Sequence, residues 1–271
     1  MKIEETKNPG KILIDCLRCG RMFEVDDWRK AEYCQEALTR YYEQSRCCDL
    51  CIAILKEEAE AKARQAKIAE LQATFPERLK KSGLPELYTH DRETGELFTQ
   101  PPKRKVAEFI YLNRNCNLLI SGETGTGKST SACFIAARLL MPGGKIRYYR
   151  LSQLLSEWRE ARRSDLPYAA ENLVSRLLSQ DVLLLDEVAG KAKISESGQE
   201  LMFELVERIC NGESKTRLWM LGNFYTGSIE DIFPDGDPIR RRLSENFKCV
   251  RFDQAGNCTD ITGSVWNQNE V

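Results

Sequence analysis

A glycine-rich segment at residues 122–129 follows an apolar run and precedes a stretch of helical character. Its sequence, GETGTGKS, matches the pattern G-x-x-x-x-G-K-[ST]. Glycines in such a loop let backbone N–H groups close around phosphate oxygens, and the N-terminus of the following helix adds positive potential. Because the motif needs a strand before it and a helix after it, the segment predicts a phosphate-binding loop carried by an α/β sheet.

The loop gives individual side chains distinct chemical roles. Lys128 is expected to place a full charge on the β- and γ-phosphates of a nucleotide, and Ser129 to offer its hydroxyl to Mg²⁺. A chance glycine-rich turn is the alternative, and the flanking strand and helix disfavour it. The residues expected to contact nucleotide are Gly122, Glu123, Thr124, Gly125, Thr126, Gly127, Lys128, Ser129 and Thr130.

A second motif lies at residues 182–187, where four apolar residues precede Asp186 and Glu187. A buried strand that ends in acidic residues places them at the carboxyl edge of the sheet, where ligands bind. Asp186 is expected to hold Mg²⁺ through water, and Glu187 to orient and deprotonate the attacking water. An ordinary acidic turn after a strand is the alternative, which the nearby phosphate loop disfavours.

Apolar runs of strand type alternate with helical stretches between residues 117 and 252. This alternation predicts a parallel sheet with helices on both faces. Ser197 and Glu200 have the spacing of a capping box at the start of one helix. The predicted strands are 117–120, 146–150, 182–185, 218–221 and 249–252, and the predicted helices are 129–140, 152–163 and 197–210.

Polar residues near the last two strands extend the predicted site. Asn223 follows the strand at 218–221, and its amide is placed to reach the γ-phosphate and the attacking water. Arg240, Arg241 and Arg242 precede the last strand, and one of them could act in trans on a neighbour's nucleotide by stabilising transition-state charge. The alternative for this arginine cluster is a surface or DNA contact.

Six of the eleven cysteines fall in the first 51 residues, and four of these form two C-x-x-C pairs. Four thiolates in this pattern predict a closed, structural Zn²⁺ site. The 28 residues between the pairs exceed the usual spacing, which predicts an inserted helix around residues 28–42. Cys34 or Cys47 could replace one ligand, and a module without metal is the alternative. The expected ligands are Cys16, Cys19, Cys48 and Cys51.

Residues 52–82 are dominated by Ala, Glu, Lys, Gln and Arg, which are strong helix formers. They predict one helix that ends at Gly83, because glycine caps a helix and Pro85 cannot continue it. The apolar stripe on this helix is thin. We therefore expect a solvated linker, with a partner-binding or coiled-coil segment as the alternative.

Composition excludes several classes of protein. A net charge of −1 gives no global attraction to nucleic acid, so any DNA contact must come from local basic clusters. The apolar runs are far shorter than the roughly 20 residues of a membrane span, and no signal-peptide core is present at the start. We therefore expect a cytoplasmic protein without a membrane partner. The chain has a single histidine, His90, and we assign no role to it. Catalysis by a serine or cysteine nucleophile that depends on a histidine base is therefore disfavoured.

From about residue 83 to residue 252 the sequence resembles the DnaC/IstB-like AAA+ family of bacterial and phage helicase loaders and transposition helper ATPases. The resemblance rests on residues 82–85, the phosphate loop, Asp186 with Glu187, residues 221–223 and the arginines before Leu243. It implies Mg²⁺-dependent ATP hydrolysis. The residues that it assigns to nucleotide chemistry are Lys128, Ser129, Asp186, Glu187 and Asn223.

The family's finger arginine normally follows an aspartate. That position corresponds to Arg242, but Arg241 stands where the aspartate is usual, so both arginines remain candidates. Taken together, the cysteine pairs, the helix-forming segment and the resemblance predict a zinc module over residues 1–51, a linker helix over 52–82, an AAA+ domain over 83–255 and a polar tail over 256–271.

The function implied by the resemblance is ATP-driven loading of a DnaB-type replicative helicase onto single-stranded DNA by a homo-oligomer that forms with ATP. The alternative is a transposition helper that acts with a transposase on duplex DNA. A small-molecule kinase also uses a phosphate loop, but Asp186 with Glu187, Asn223 and the arginines disfavour it. A fourth class is a binding module whose ATP site regulates assembly.

Overall fold

The computed structural model describes residues 1–30, 35–188, 194–223 and 237–261. The chain divides into two compact units, Met1–Glu70 and Leu71–Val271. In the described part of the chain, no helix has the length and apolar character needed to cross a membrane.

The first unit holds a small antiparallel sheet of three strands in the order β1-β2-β3. Its core is formed by Ile12, Ile14 and Trp28. The helix predicted around residues 28–42 is only partly correct, because a short 3₁₀ turn at Trp28–Lys30 precedes the helix α1, Gln35–Ser45. None of the strands was predicted: they are β1 (Ile3–Glu5), β2 (Lys11–Asp15) and β3 (Met22–Asp26).

A long helix, α2, spans Asp49–Ser82 and runs through both units. It confirms the single helix predicted over residues 52–82 and begins three residues earlier. It ends where Gly83 adopts φ +77°, a left-handed conformation that glycine tolerates best. Most of its side chains are exposed up to residue 70, as expected for a sequence with so thin an apolar stripe.

The second unit is built on a six-stranded sheet in the order β5-β6-β7-β4-β8-β9. The first five strands of this order pair in parallel, and the edge strand β9 is antiparallel to β8. The α/β class with a parallel-rich sheet is confirmed. The strands are β4 (Asn117–Gly122), β5 (Ile146–Arg150), β6 (Val182–Asp186), β7 (Arg217–Gly222), β8 (Phe247–Phe252) and β9 (Cys258–Asp260).

Side chains alternate along each buried strand, so apolar side chains project from both faces of this sheet. Helices cover both faces. Along β4, Leu118 and Ile120 pack in one core, and Leu119 packs in the other. The Leu118 face is covered by α4 (Arg104–Leu112) and α5 (Lys128–Leu140), near the short α3 (Glu86–Thr89). The Leu119 face is covered by α6 (Leu151–Arg163), α7 (Ala169–Leu178), α8 (Glu196–Cys210) and α9 (Asp237–Asn246).

The capping box predicted for Ser197 and Glu200 is wrong. Helix α8 begins at Glu196 with Ser195 at the N-cap, so Ser197 lies inside the first turn. The Ser197 hydroxyl accepts a hydrogen bond from Trp158 Nε1 at 3.0 Å instead, and Glu200 forms an ion pair with Arg162. Both side chains therefore contact residues of α6, Trp158 and Arg162.

Candidate functional site

The carboxyl ends of three neighbouring strands meet at one edge of the sheet. Since the strand order contains β6-β7-β4, the end of β6 at Asp186, the end of β7 at Gly222 and the end of β4 at Gly122 lie side by side. They border a cavity of about 480 Å³. Residues on its wall are Tyr88, Pro102, Lys103, Gly122, Thr124, Gly125, Gly127, Lys128, Ser129, Thr130, Asp186, Glu187, Gly222 and Asn223.

The predicted site residues converge on this cavity. Seven of the nine predicted loop residues line it, as do Asp186, Glu187 and Asn223. The other two loop residues, Glu123 and Thr126, contact each other within the loop: the buried Thr126 hydroxyl donates to the Glu123 carbonyl oxygen at 2.9 Å. The structure thus brings together one phosphate loop, two carboxylates and an amide.

The loop has a conformation that depends on glycine. Gly122 has φ +148°, and a Cβ there would lie 2.5 Å from the Phe252 backbone oxygen, which cannot move aside easily. Gly127 has φ +85° immediately before α5, and a Cβ there would lie 2.4 Å from Lys103 Cγ. The backbone at these positions can therefore pack closely and present its N–H groups to an anion.

Lys128 lies against its own loop. Its ammonium group donates to the carbonyl oxygens of Gly122 at 2.6 Å and Glu123 at 2.8 Å, and to Thr126 Oγ1 at 3.2 Å. Partial burial lowers the pKa of Lys128, and the charge of Asp186 opposes that shift. These contacts hold the ammonium against the loop in a residue of the cavity wall, where a phosphate group could be within its reach.

Asp186 is buried and its carboxylate is hydrogen-bonded at both oxygens. Oδ1 accepts from Ser129 Oγ at 3.0 Å and from the Glu187 backbone N–H at 2.9 Å. Oδ2 accepts from the Tyr148 hydroxyl at 3.1 Å. Burial and the charge of Asp186 raise the pKa of Tyr148 well above its ordinary value, so this hydroxyl stays a donor. A serine hydroxyl beside a carboxylate is the oxygen donor set that Mg²⁺ prefers.

Glu187 has an unusual backbone conformation, with φ +57°. A left-handed residue other than glycine costs about 1–2 kcal/mol, and such strain often occurs at functional sites. Its side chain is 60% exposed and lies 3.8 Å from Arg150 Nε through Oε1. The carboxylate is therefore largely open to solvent, in a residue of the cavity wall.

The two candidate finger arginines lie on α9, and of the described residues neither is part of the cavity wall. The Arg241 side chain is 79% exposed and its Nε lies 3.0 Å from Glu245 Oε1, one turn away. The Arg242 side chain is only 28% exposed, and its Nη2 lies 3.0 Å from Glu207 Oε1 on α8. Their environments differ: one is open to a partner, and the other is fixed within the fold.

Several residues that contact this site were missed in the sequence. Tyr88, Pro102 and Lys103 lie outside the motifs from which the site was predicted. Tyr148 could have been placed by the alternation along β5, which puts it on the face of α5. Gln254 follows β8, and its amide donates to the Thr124 carbonyl oxygen at 3.0 Å. Nothing in the local sequence around Gln254 indicates that contact.

A profile for a protein family described as IstB-like ATP-binding proteins matches residues 51–218. The chain belongs to this IstB-like family. The match includes the phosphate loop and Asp186 with Glu187, but neither the first C-x-x-C pair nor the arginines of α9. The resemblance to DnaC/IstB-like AAA+ ATPases is thereby confirmed, and ATP binding is the shared property that the family description names.

Individual relatives of this IstB-like chain carry two kinds of name. A replicative helicase loader DnaC of Buchnera aphidicola is 27% identical over 199 residues, which cover 69% of this chain and 76% of that protein. An IS21-like insertion sequence ATP-binding protein of Bacteroides fragilis is 30% identical over 135 residues, covering 48% and 49%. A crystal structure of the DnaC helicase loader matches loosely, with 17% identity, a TM-score of 0.42 and coverage of 54% and 85%.

The cysteine cluster of the IstB-like chain lies in the first unit. The Sγ atoms of its four predicted ligands all lie within 4.8 Å of one another. Burial acts to raise the pKa of Cys16, but N–H donors of Cys48, Cys19 and Arg18 lower it to about 6. Four thiols at this spacing suit a tetrahedral Zn²⁺ ion. The cluster consists of Cys16, Cys19, Cys48 and Cys51.

Two further cysteines were alternative ligands. Cys47 is partly buried beside the cluster, but it is not one of the four thiols that the described residues bring together. Cys34 lies outside the described residues.

Proposed function

We propose that this IstB-like chain hydrolyses ATP with Mg²⁺ and uses that reaction to load a replicative helicase onto single-stranded DNA. The observation that carries the ATPase proposal is the meeting of the phosphate loop, the Ser129–Asp186 hydrogen bond and the open Glu187 carboxylate in one cavity. Such an arrangement combines a phosphate cradle, a cation site and a base, which are the parts that phosphoryl transfer to water needs.

In the proposed mechanism the loop N–H groups and Lys128 bind the phosphates and balance their charge. Ser129 and Asp186 would hold Mg²⁺, which when bound would neutralise charge on the β- and γ-phosphates. Glu187 accepts a proton from the attacking water, and its exposed position leaves space for that water. Asn223 lines the same cavity and would orient the water or the γ-phosphate.

A homo-oligomer is part of the proposal, because a finger arginine acts on the nucleotide of a neighbouring copy. The exposure of Arg241 favours it over Arg242 for this role. Arg242 would have to give up its contact with Glu207 before it could reach another subunit, whereas the Arg241–Glu245 pair is a solvent-exposed contact within one helix and contributes little.

Two observations favour the helicase-loader role. The DnaC relative covers more of this chain than the insertion-sequence relative does, 69% against 48%, and the similarity therefore extends further beyond the phosphate loop. The first unit also carries a cysteine cluster suited to a structural metal, and such a module can supply a rigid surface for a partner. We propose a DnaB-type helicase as that partner.

A transposition helper is the second candidate function. The family description names IstB-like proteins, and the insertion-sequence relative is 30% identical, slightly more than the 27% of the DnaC relative. In this role the chain would assemble on duplex DNA and act with a transposase. The ATPase site would serve both roles without change, so partner binding is the property that separates them.

The helicase-loader role predicts a stable complex with the replicative helicase of the host. We expect the two proteins to co-elute in size-exclusion chromatography, with a defined mass by light scattering. ATP should change the amount of complex formed by the wild-type chain and leave unchanged the amount formed by Lys128→Ala. Absence of a complex, together with self-assembly on duplex DNA, would contradict the loader role and support the transposition helper.

The cysteine cluster predicts about one Zn²⁺ per chain in freshly purified protein, because closed four-thiolate sites bind the metal tightly. We expect Cys51→Ser to lower the zinc content to less than about half an equivalent and to destabilise the first unit. Cys258→Ser is the matched control, since Cys258 is an exposed thiol on β9 outside the cluster. Metal analysis that finds no zinc in the wild-type chain would refute the site.

A further inference from the structure

We propose that Tyr148 is a positioning residue for the Mg²⁺ site: its hydroxyl fixes the Asp186 carboxylate in the orientation that holds the ion. The inference rests on the proposed ATPase function and assigns a role in it to a residue outside both sequence motifs. Among the described residues, Tyr148 is not part of the cavity wall, so it would act through its side-chain partners, of which Asp186 is the one expected to hold the ion and Arg150 is the other.

The sheet brings Tyr148 to Asp186. Strand β5 pairs in parallel with β6, with Tyr148 opposite Leu184 and Arg150 opposite Asp186. Side chains two positions apart lie on the same face of a sheet, so the long tyrosine ring on β5 can extend along the strand direction toward the end of β6. The hydroxyl reaches Asp186 Oδ2 at 3.1 Å.

The carboxylate of Asp186 needs this donor because it is buried. A buried charge requires hydrogen bonds or a cation to offset its lost hydration. At Oδ1, the Ser129 hydroxyl and the Glu187 N–H supply them, whereas Oδ2 receives its hydrogen bond from Tyr148. Without the Tyr148 hydroxyl, the carboxylate would be held from one side only and could rotate about its Cβ–Cγ bond. A metal-holding group that loses such an outer partner typically loses about 10- to 100-fold in metal affinity.

The adjacent residue provides a matched control. Tyr149 is buried to the same degree as Tyr148, with 6% against 5% of its surface exposed. Its side chain lies in the other core of the sheet, where its hydroxyl donates to Glu157 Oε2 at 2.6 Å. Both tyrosines lie on β5, and removing either hydroxyl deletes one oxygen and one hydrogen bond to a carboxylate. Only Tyr148→Phe touches the carboxylate that is expected to hold the ion.

The test measures nucleotide binding with and without the ion. A fluorescent ATP analogue is titrated into wild type, Tyr148→Phe and Tyr149→Phe, first in EDTA and then at rising Mg²⁺ concentration. For Tyr148→Phe we expect an unchanged affinity for the ATP analogue in EDTA. The Mg²⁺ concentration that produces half of the ion's effect on this affinity should be about tenfold higher than for wild type. Tyr149→Phe should match wild type in both measurements. Direct Mn²⁺ binding to the nucleotide complex, followed by electron paramagnetic resonance, should weaken by the same factor.

Two results would overturn the proposal: equal Mg²⁺ dependence in both phenylalanine variants, or an equal loss of affinity with and without the ion. If Tyr148→Phe unfolds, 4-aminophenylalanine at position 148 tests the same point, because it keeps an N–H donor at the end of the ring. It should retain the wild-type Mg²⁺ dependence, and a tenfold shift in it would overturn the proposal. If the wild type itself shows no Mg²⁺-dependent nucleotide binding, the proposed ATPase function fails. If the wild type responds to Mg²⁺ and Tyr148→Phe responds in the same way, only the role given to Tyr148 fails.

Discussion

Replacing Glu187 with glutamine is expected to leave ATP binding intact and to slow hydrolysis by about 100- to 10,000-fold, the contribution typical of a positioned general base. Glutamine has nearly the same shape but cannot accept the proton of the attacking water. The side chain is 60% exposed, so the change removes no buried contact. Steady-state phosphate release and equilibrium nucleotide binding, measured on the same preparation, separate the two properties.

Glu200→Gln is the matched control for this prediction. The Glu200 side chain is also 60% exposed and forms an ion pair with an arginine, as Glu187 does, but it lies on α8 and is not part of the cavity wall within the described residues. It should hydrolyse ATP at the wild-type rate. Normal hydrolysis by Glu187→Gln would show that another group activates the water, and the assignment of the base would be wrong.

The regular core of the second unit was predictable because its signals are local. Strand β5 was predicted at residues 146–150 and occupies Ile146–Arg150, since its β-branched and aromatic residues are bounded by the glycines of the preceding turn and a helical pattern after it. The phosphate loop was predictable for the same reason, as its motif lies within eight consecutive residues. The end of β6 then placed Asp186 and Glu187 beside it through the general rule for parallel sheets.

The contacts that complete the site were not predictable, because each joins residues distant in sequence. Tyr148 reaches Asp186 across 38 positions, and Gln254 reaches Thr124 across 130. The same limitation explains the failed capping box, where Trp158 on α6 takes the Ser197 hydroxyl. Short strands such as β1 and β9 carry too few residues for an alternating pattern to stand out.

The arginines of α9 illustrate what a structure adds to a segment that the sequence names only as a candidate. From the sequence, Arg242 stands at the family's finger position and Arg241 replaces the usual aspartate, so both remain candidates. Their environments differ because adjacent helical residues point about 100° apart, which turns Arg242 toward Glu207 on α8 and leaves Arg241 in solvent. Burial and partners therefore separate two residues that the sequence leaves as joint candidates.

Replacing Lys128 with alanine is expected to weaken ATP binding by about 100-fold or more, because a phosphate loses a charge-assisted contact in a partly buried site. The loop also loses two internal hydrogen bonds, which the ammonium group donates to the carbonyl oxygens of Gly122 and Glu123. Those carbonyl oxygens would then repel an incoming phosphate without a compensating cation. Isothermal titration with ATP and Mg²⁺ measures the loss directly.

Lys248→Ala is the matched control, because Lys248 also uses its ammonium group in a hydrogen bond, to Asn113 Oδ1 at 2.6 Å, but lies outside the cavity wall among the described residues. It should bind ATP as wild type does. Together with Glu187→Gln, the lysine variant separates binding from chemistry: one should lose both, and the other should lose hydrolysis alone. Retention of ATP affinity by Lys128→Ala would mean that the nucleotide is held away from the loop, and the roles given to Ser129 and Asp186 would then fail with it.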